Sequence, residues 1–217
     1  MTGATISAQS TRDEGLLGVL RRGNLGVVAF AGLLLLGGWY LRGQALAQLV
    51  HFESKSVALD HPAGWLDLGD PAAGKDREAT LIDAFGSGAF RSRIAISREK
   101  QPSELKEQEL SSYLQLNLQR TLTLFHLVHE QAVRVDGRSG IRIDYAYAVN
   151  PVARPDDPAA TDVPVVVYAS TMAVITRDGE IVRVTVEQPA GSRGERSSFV
   201  DRVLGSVHLR STPGGGR

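Results

Sequence analysis

The chain has 217 residues, 42% hydrophobic and 22% charged, with a formal net charge of zero, enough for one medium domain plus an appendage. With neither a basic nor an acidic excess, nothing in the charge points to nucleic acid as a partner. There is no cysteine, which excludes disulfides, thiolate metal sites, cysteine nucleophiles and the acylation that lipoprotein anchoring needs.

Residues 1–23 start polar and turn mildly apolar, and read as a cytoplasmic tail. Residues 25–41, LGVVAFAGLLLLGGWYL, carry no charge. About 17 residues rising about 1.5 Å each reach about 25 Å, the short end of a bilayer span. With its flanks the run gives a transmembrane anchor over 24–43. Its candidate anchor residues are Leu25, Phe30, Leu34, Trp39, Tyr40 and Leu41, the two aromatics suiting the membrane interface. Arg12, Arg21 and Arg22 precede the span, while Arg42 and the more distant Lys55 follow it. That bias puts the N-terminus in the cytoplasm and the rest of the chain on the periplasmic side of the inner membrane. A cleaved signal peptide competes, because Ala45-Leu46-Ala47 has the small-x-small form. Against it stand Arg42, between the run and that site, and the long segment before the run. Arg21-Arg22 lacks the apolar pair of a twin-arginine signal, and a buried core helix fits poorly with all-round hydrophobicity flanked by arginines.

A soluble domain follows over 48–209, with a disordered tail at 210–217. Leu49–Phe52 and Ser56–Leu59 read as short strands, and His61-Pro62-Ala63-Gly64-Trp65 as a turn. After a polar loop at Gly69–Asp76, Thr80–Phe85 and Phe90–Ile96 form a hairpin through Gly86-Ser87-Gly88. Ser103 is placed to cap a helix, and Leu110, Tyr113, Leu114, Leu118, Leu122 and Phe125 recur at helical spacing to make its inward stripe. His126–Val135 is a strand that ends at the Asp136-Gly137 turn. The next strand buries Ile141, Ile143, Tyr145, Tyr147 and Val149 and shows Arg142, Asp144, Ala146 and Ala148 on its other face. Asn150–Pro164, with four prolines, is an irregular loop. Val165–Ile175 is apolar on both faces, as a central strand would be, and turns at Arg177-Asp178-Gly179 into Ile181–Val186. Phe199, Val200, Val203 and Leu204 mark the inward face of a closing helix. Gly205 is its cap, and Val207–Leu209 a last short strand. The order predicts an α+β domain with a mostly antiparallel β-sheet flanked by helices.

Several stretches together resemble the PsbP-like fold, shared by extrinsic photosystem subunits and the nuclear-import factor Mog. They are HPAGW at 61–65, FHLVHEQAVRVDGRSGIRIDYAY at 125–147, GEIVRVTV at 179–186 and FVDRVLGSVHL at 199–209. The resemblance covers roughly Val50–Leu209. It implies an α/β/α sandwich and a non-catalytic role, either docking on larger assemblies or binding small ligands. Fold alone does not fix which.

The residues themselves name no chemistry. His126 and His129 would share a face on a helix but point to opposite faces on a regular strand, so no metal ligands are assigned. Gly137-Arg138-Ser139-Gly140 is a turn and lacks the G-x-S-x-G nucleophile elbow. Asp144, near Arg142 and Arg138, is expected in a cross-strand salt bridge, and Tyr145, Tyr147 and Trp65 are expected in the core. No catalytic or cofactor-binding residue is assigned, and the chain is not expected to be an enzyme. The long proline-stiffened loop supplies the candidate partner contact: Asn150, Pro151, Arg154, Asp156 and Asp157. The expected partners are the lipid bilayer and a larger membrane protein complex, with photosynthetic or respiratory complexes as the hosts the resemblance implies. The expected function is therefore a non-catalytic accessory subunit of the membrane. The competing reading is an envelope-anchored module that binds or senses a small ligand, for which a cleft between sheet and helix with convergent polar groups would speak.

Overall fold

The computed structural model of the chain describes residues 27, 29–38, 48–69, 76–86, 89–150 and 164–210. The chain divides into two units, Met1–Gln48 and Leu49–Arg217. In the first, residues 29–38 are helical, with Phe30 and Leu34 exposed. Among the described residues no helix is long and apolar enough to cross a membrane. The remaining anchor residues, Leu25, Trp39, Tyr40 and Leu41, lie outside the described residues, as do 1–23 and 211–217.

The second unit runs β1 (Leu49–Glu53), β2 (Val57–Pro62), β3 (Trp65–Asp67), β4 (Arg77–Asp83), β5 (Arg93–Lys100), α1 (Leu110–Thr121), β6 (Thr123–Val135), β7 (Arg138–Val149), β8 (Val165–Ile175), β9 (Glu180–Pro189), α2 (Arg193–Gly205) and β10 (His208–Leu209). A seven-stranded sheet has the order β3-β4-β5-β9-β8-β7-β6, and a three-stranded sheet the order β1-β2-β10. Every pairing is antiparallel. After β5 the chain passes through α1 to the far edge. From there it returns strand by strand until β9 closes against β5.

Alternation along the central strands builds a core on each face. On one face Ile94, Ile96, Val182, Val184 and Val186 pack with Val57 and Leu59 of the small sheet and with Val200, Val203 and Leu204 of α2. On the other, Ile143, Tyr145, Tyr147, Val167 and Ile181 pack against Leu110 and Leu114 of α1. Each such side chain, once fully buried, contributes about 1.5–3 kcal/mol. The expected α/β/α sandwich is thus corrected: one covering layer is a three-stranded sheet with a single helix, so the domain is richer in β-structure.

Several boundaries differ for physical reasons. The helix starts at Leu110, not Ser103, because a turn and a 3-10 segment, Glu107–Glu109, intervene. The Glu109 carboxylate accepts the Lys106 N–H at 3.3 Å there. It ends at Thr121, before Leu122 and Phe125. Both residues still pack on the core under α1, so the apolar spacing outlasts the helix. His61 and Pro62 belong to β2 and Trp65 to β3, leaving only Ala63-Gly64 as the turn.

Candidate functional site

Two clefts open on opposite faces of the large sheet. The first, about 330 Å³, lies on the α2 side. Its geometry comes from an irregularity in β6. His126 pairs with Ala146, Leu127 with Tyr145 and His129 with Asp144, so Val128 is an extra residue. The extra residue restores a shared face to His126 and His129, which regular strand spacing would have placed on opposite faces. Val128 and His129 both line the cleft.

The register aligns His129, Asp144, Ser170 and Val186 in one row across β6, β7, β8 and β9. Histidine, aspartate and serine thus line one cleft, but in an order that does not support nucleophilic catalysis. A triad needs the imidazole between carboxylate and hydroxyl. Here Asp144 stands in the middle, and Ser170 is two strands from His129, about 10 Å at normal strand spacing. Asp144 is already engaged: Arg142 Nε donates to its Oδ1 at 2.9 Å and Nη1 donates to Asp201 of α2 at 2.6 Å. The salt bridge expected across strands therefore forms within β7. At the floor, Gln188 is buried and its Nε2 has no hydrogen-bond partner among the described residues. Among the described residues no group of three or more His, Asp or Glu comes together to hold a metal ion.

The second cleft, about 370 Å³, lies under α1. Its floor is a register row of small side chains, Ala95 on β5, Thr185 on β9 and Thr171 on β8. Flanking rows carry long ones, Arg93 with Glu187 on one side and Arg183, beside Ser97, on the other. Small residues between large ones make the depression. Leu114, Leu118 and Leu122 wall it from the helix side.

The polar groups of this cleft form connected networks. Arg93 Nε donates to Glu187 Oε2, and the Tyr147 hydroxyl donates to Glu187 Oε1 at 2.8 Å. Arg183 donates from Nε to Ser97 Oγ at 3.3 Å and from Nη2 to Glu99 Oε2 at 3.0 Å. The hydroxyls of Tyr145, Thr171 and Thr185 form a chain with links of 3.1 and 2.9 Å. Burial pushes the Tyr145 phenol well above its ordinary value, with the Thr171 hydrogen bond opposing. Burial and then the Glu187 charge do the same to Tyr147. Both tyrosines also pack in the core as expected, and Trp65 is partly buried 5.5 Å from the Phe199 ring.

Sequence reasoning passed over Arg93, Thr171, Arg183, Thr185 and Glu187. The alternation of Arg183, Thr185 and Glu187 with valines reads as a solvent-facing side, whereas α1 partly covers that face. Thr171, polar in an otherwise apolar central strand, was the available signal. Of the loop residues proposed for partner contact, Asn150 is exposed just past β7, while Pro151, Arg154, Asp156 and Asp157 lie outside the described residues.

No family model and no curated protein matches the sequence. Solved structures do resemble it. Cyanobacterial PsbP (CyanoP) from Synechocystis sp. PCC 6803 aligns with a TM-score of 0.54 at 14% identity, over 76% of this chain and 94% of that one. LpqN, involved in cell envelope biogenesis of Mycobacterium tuberculosis, aligns with a TM-score of 0.52 at 10% identity, over 76% and 91%. The Ran-binding protein Mog1p of Saccharomyces cerevisiae gives 0.49 at 12% identity, over 75% and 95%. Identities this low establish the fold alone: the Leu49–Arg217 unit has the PsbP-like fold.

Proposed function

We propose that the chain is a non-catalytic accessory protein of the cell envelope, anchored by residues 24–43, whose soluble domain works by binding. The observation that carries the reading is how the clefts are wired. Asp144, Asp201 and Glu187 are each held by an arginine, and both buried tyrosines have phenols shifted away from neutral titration. Groups locked in this way orient and recognise a ligand but do not shuttle protons near neutral pH. The likeness to LpqN, whose own role lies in envelope biogenesis, and the uncharged run at 25–41 support an envelope setting. The test is a pair of C-terminal reporter fusions in a bacterial host. Alkaline phosphatase should be active and a cytoplasm-dependent fluorescent protein dark. The opposite pattern would overturn the reading.

A second reading, docking on a larger membrane complex, is favoured by one feature. Leu66 and Leu68, along and just past edge strand β3, and Phe85 nearby are 58%, 51% and 66% exposed. Exposed apolar groups beside a strand edge with no pairing partner among the described residues suit a protein partner. Gentle solubilisation of native membranes should then yield a high-mass species. Migration as a free monomer in several mild detergents would rule it out.

A further inference from the structure

We infer that the cleft under α1 is a binding site for a small carboxylate bearing a short apolar chain. The inference deepens the reading of the domain as a binding module and rests on it.

Donor and acceptor accounting gives the charge of the ligand. A guanidinium has five N–H donors. Arg183 uses Nε on Ser97 and one Nη2 proton on Glu99, and Arg93 is tied through Nε to Glu187. Each retains N–H groups beside the row of small residues. Arg77, also lining the cleft, has no ion pair with any described residue. In the hydroxyl chain three O–H groups share two hydrogen bonds, which leaves one further proton to donate. Of the carboxylates nearby, Glu187 is engaged on both oxygens, and Glu99 keeps Oε1 without a partner among the described residues. Exposed Asp76 also lines the cleft, so the lining sets three arginines, Arg77, Arg93 and Arg183, against two carboxylates, Asp76 and Glu187. The cleft therefore has donors in excess, and its complement is an acceptor-only group. A carboxylate meets that need, with two oxygens and about four lone-pair sites.

The opposite wall gives the rest of the ligand. Leu114, Leu118 and Leu122 present only hydrocarbon, so a molecule lying over Ala95, Thr185 and Thr171 meets donors below and methyl groups above. A purely ionic ligand would leave the leucines without a partner, and a purely apolar one would leave the guanidinium protons unpaired. A volume of about 370 Å³ holds a head group with a chain of several carbons.

The test uses the full chain with three probes: hexanoate, its neutral counterpart 1-hexanol, and acetate. Chemical shifts of the threonine, leucine and valine methyl groups are followed by NMR. Hexanoate should shift Thr171, Thr185, Leu118 and Leu122 saturably. Hexanol and acetate should each bind at least about tenfold more weakly, since each lacks one half of the recognition. Thr185→Val, which keeps shape and removes a hydroxyl, and Arg77→Gln, at an exposed position, should each weaken hexanoate by about fivefold or more. Ala95→Leu, which fills the floor, should abolish binding with the remaining spectrum dispersed. Equal binding of hexanoate and hexanol would overturn the assignment, as would the absence of saturable shifts or shifts confined to Val128 and Val200 in the other cleft. Any of these three failures with phosphatase activity intact at the C-terminus would remove the ligand and leave the accessory reading standing.

Discussion

Replacing Gly140 by alanine tests the register on which both clefts depend. Gly140 lies on β7 opposite Val133 of β6 and Val174 of β8. A Cβ there would come within 2.7 Å of the Ala173 carbonyl oxygen, 2.8 Å of Val174 Cγ2 and 3.4 Å of Val133 Cγ2. The first contact is with backbone at the end of the β7–β8 ladder, where Gly140 pairs with Val174 and Ile141 with Ala173, so relief requires the two strands to part there by several tenths of an ångström. Overpacking of this kind costs about 1–3 kcal/mol. Alanine returns about 0.5–1 kcal/mol by restricting the unfolded chain. The net expectation is a loss of about 1–2 kcal/mol. For a unit the size of Leu49–Arg217 each kcal/mol moves Tm by about 2–4 °C, so the drop should be about 2–8 °C. Urea unfolding should show a lower midpoint with an unchanged slope. Gly191→Ala is the control, because a Cβ at Gly191 meets nothing within 4 Å, and it should stay within about 0.5 kcal/mol of the parent. If the two variants prove equally stable, the close approach of β7 and β8 at Gly140 is not real and the rows drawn across the sheet lose their support.

Other changes probe the polar groups. Glu187→Gln keeps an acceptor for Tyr147 but removes the charge facing Arg93. Because the Arg93 side chain is 37% exposed, the loss should fall below that of a fully buried pair, at about 2–3 kcal/mol by urea unfolding; an unchanged midpoint would show that the pair does not form. Gln188→Leu removes a buried amide whose Nε2 has no partner among the described residues, and should be neutral or stabilising by about 1 kcal/mol; a large loss would mean the amide is satisfied in solution. His208 and then the Leu209 N–H, at 3.0 and 2.6 Å, hold the Asp136 carboxylate below its ordinary value. Its stabilisation is therefore present above the unfolded value, near about 4, and lost as pH falls through the lower folded value. Asp136→Asn, which tolerates the positive φ of 49° at that position, should flatten the stability profile in that acidic window, and parallel profiles would contradict the pairing.

The fold was legible wherever periodicity met a single environment. Ile141 to Val149 alternates because one face of β7 is buried under α1, and Val165–Ile175 is apolar throughout because β8 is central. Asp136-Gly137 and Arg177-Asp178-Gly179 marked the turns correctly, since Asp136, Gly137 and Gly179 take positive φ. The helix limits were harder to read. Leu122 and Phe125 continue the spacing of α1 because both bury in the same core, and no glycine marks the stop. The three strands of the small sheet were each read as strands, but their pairing into a separate sheet joins the two ends of the domain, β10 to β2, and residue type carries no mark of that. The site was largely hidden, for two reasons. The irregularity at Val128, which returns His126 and His129 to one face, leaves no mark in residue type. Arg183, Thr185 and Glu187 alternate as a solvent-facing strand would, and only the seven-stranded order brings them beneath a helix beside Arg93 and Thr171.

The central claim is a division of labour between an anchor in residues 24–43 and a domain that folds and binds by itself. It is tested most directly by comparing the full chain with a chain running from Gln44 to Arg217, measuring cooperative unfolding and sedimentation with native membranes. The shorter chain should be soluble, monomeric and cooperatively folded, and should leave the membrane pellet while the full chain stays in it. Aggregation or non-cooperative unfolding of the shorter chain would contradict the claim, because the apolar run would then be part of the domain's own core.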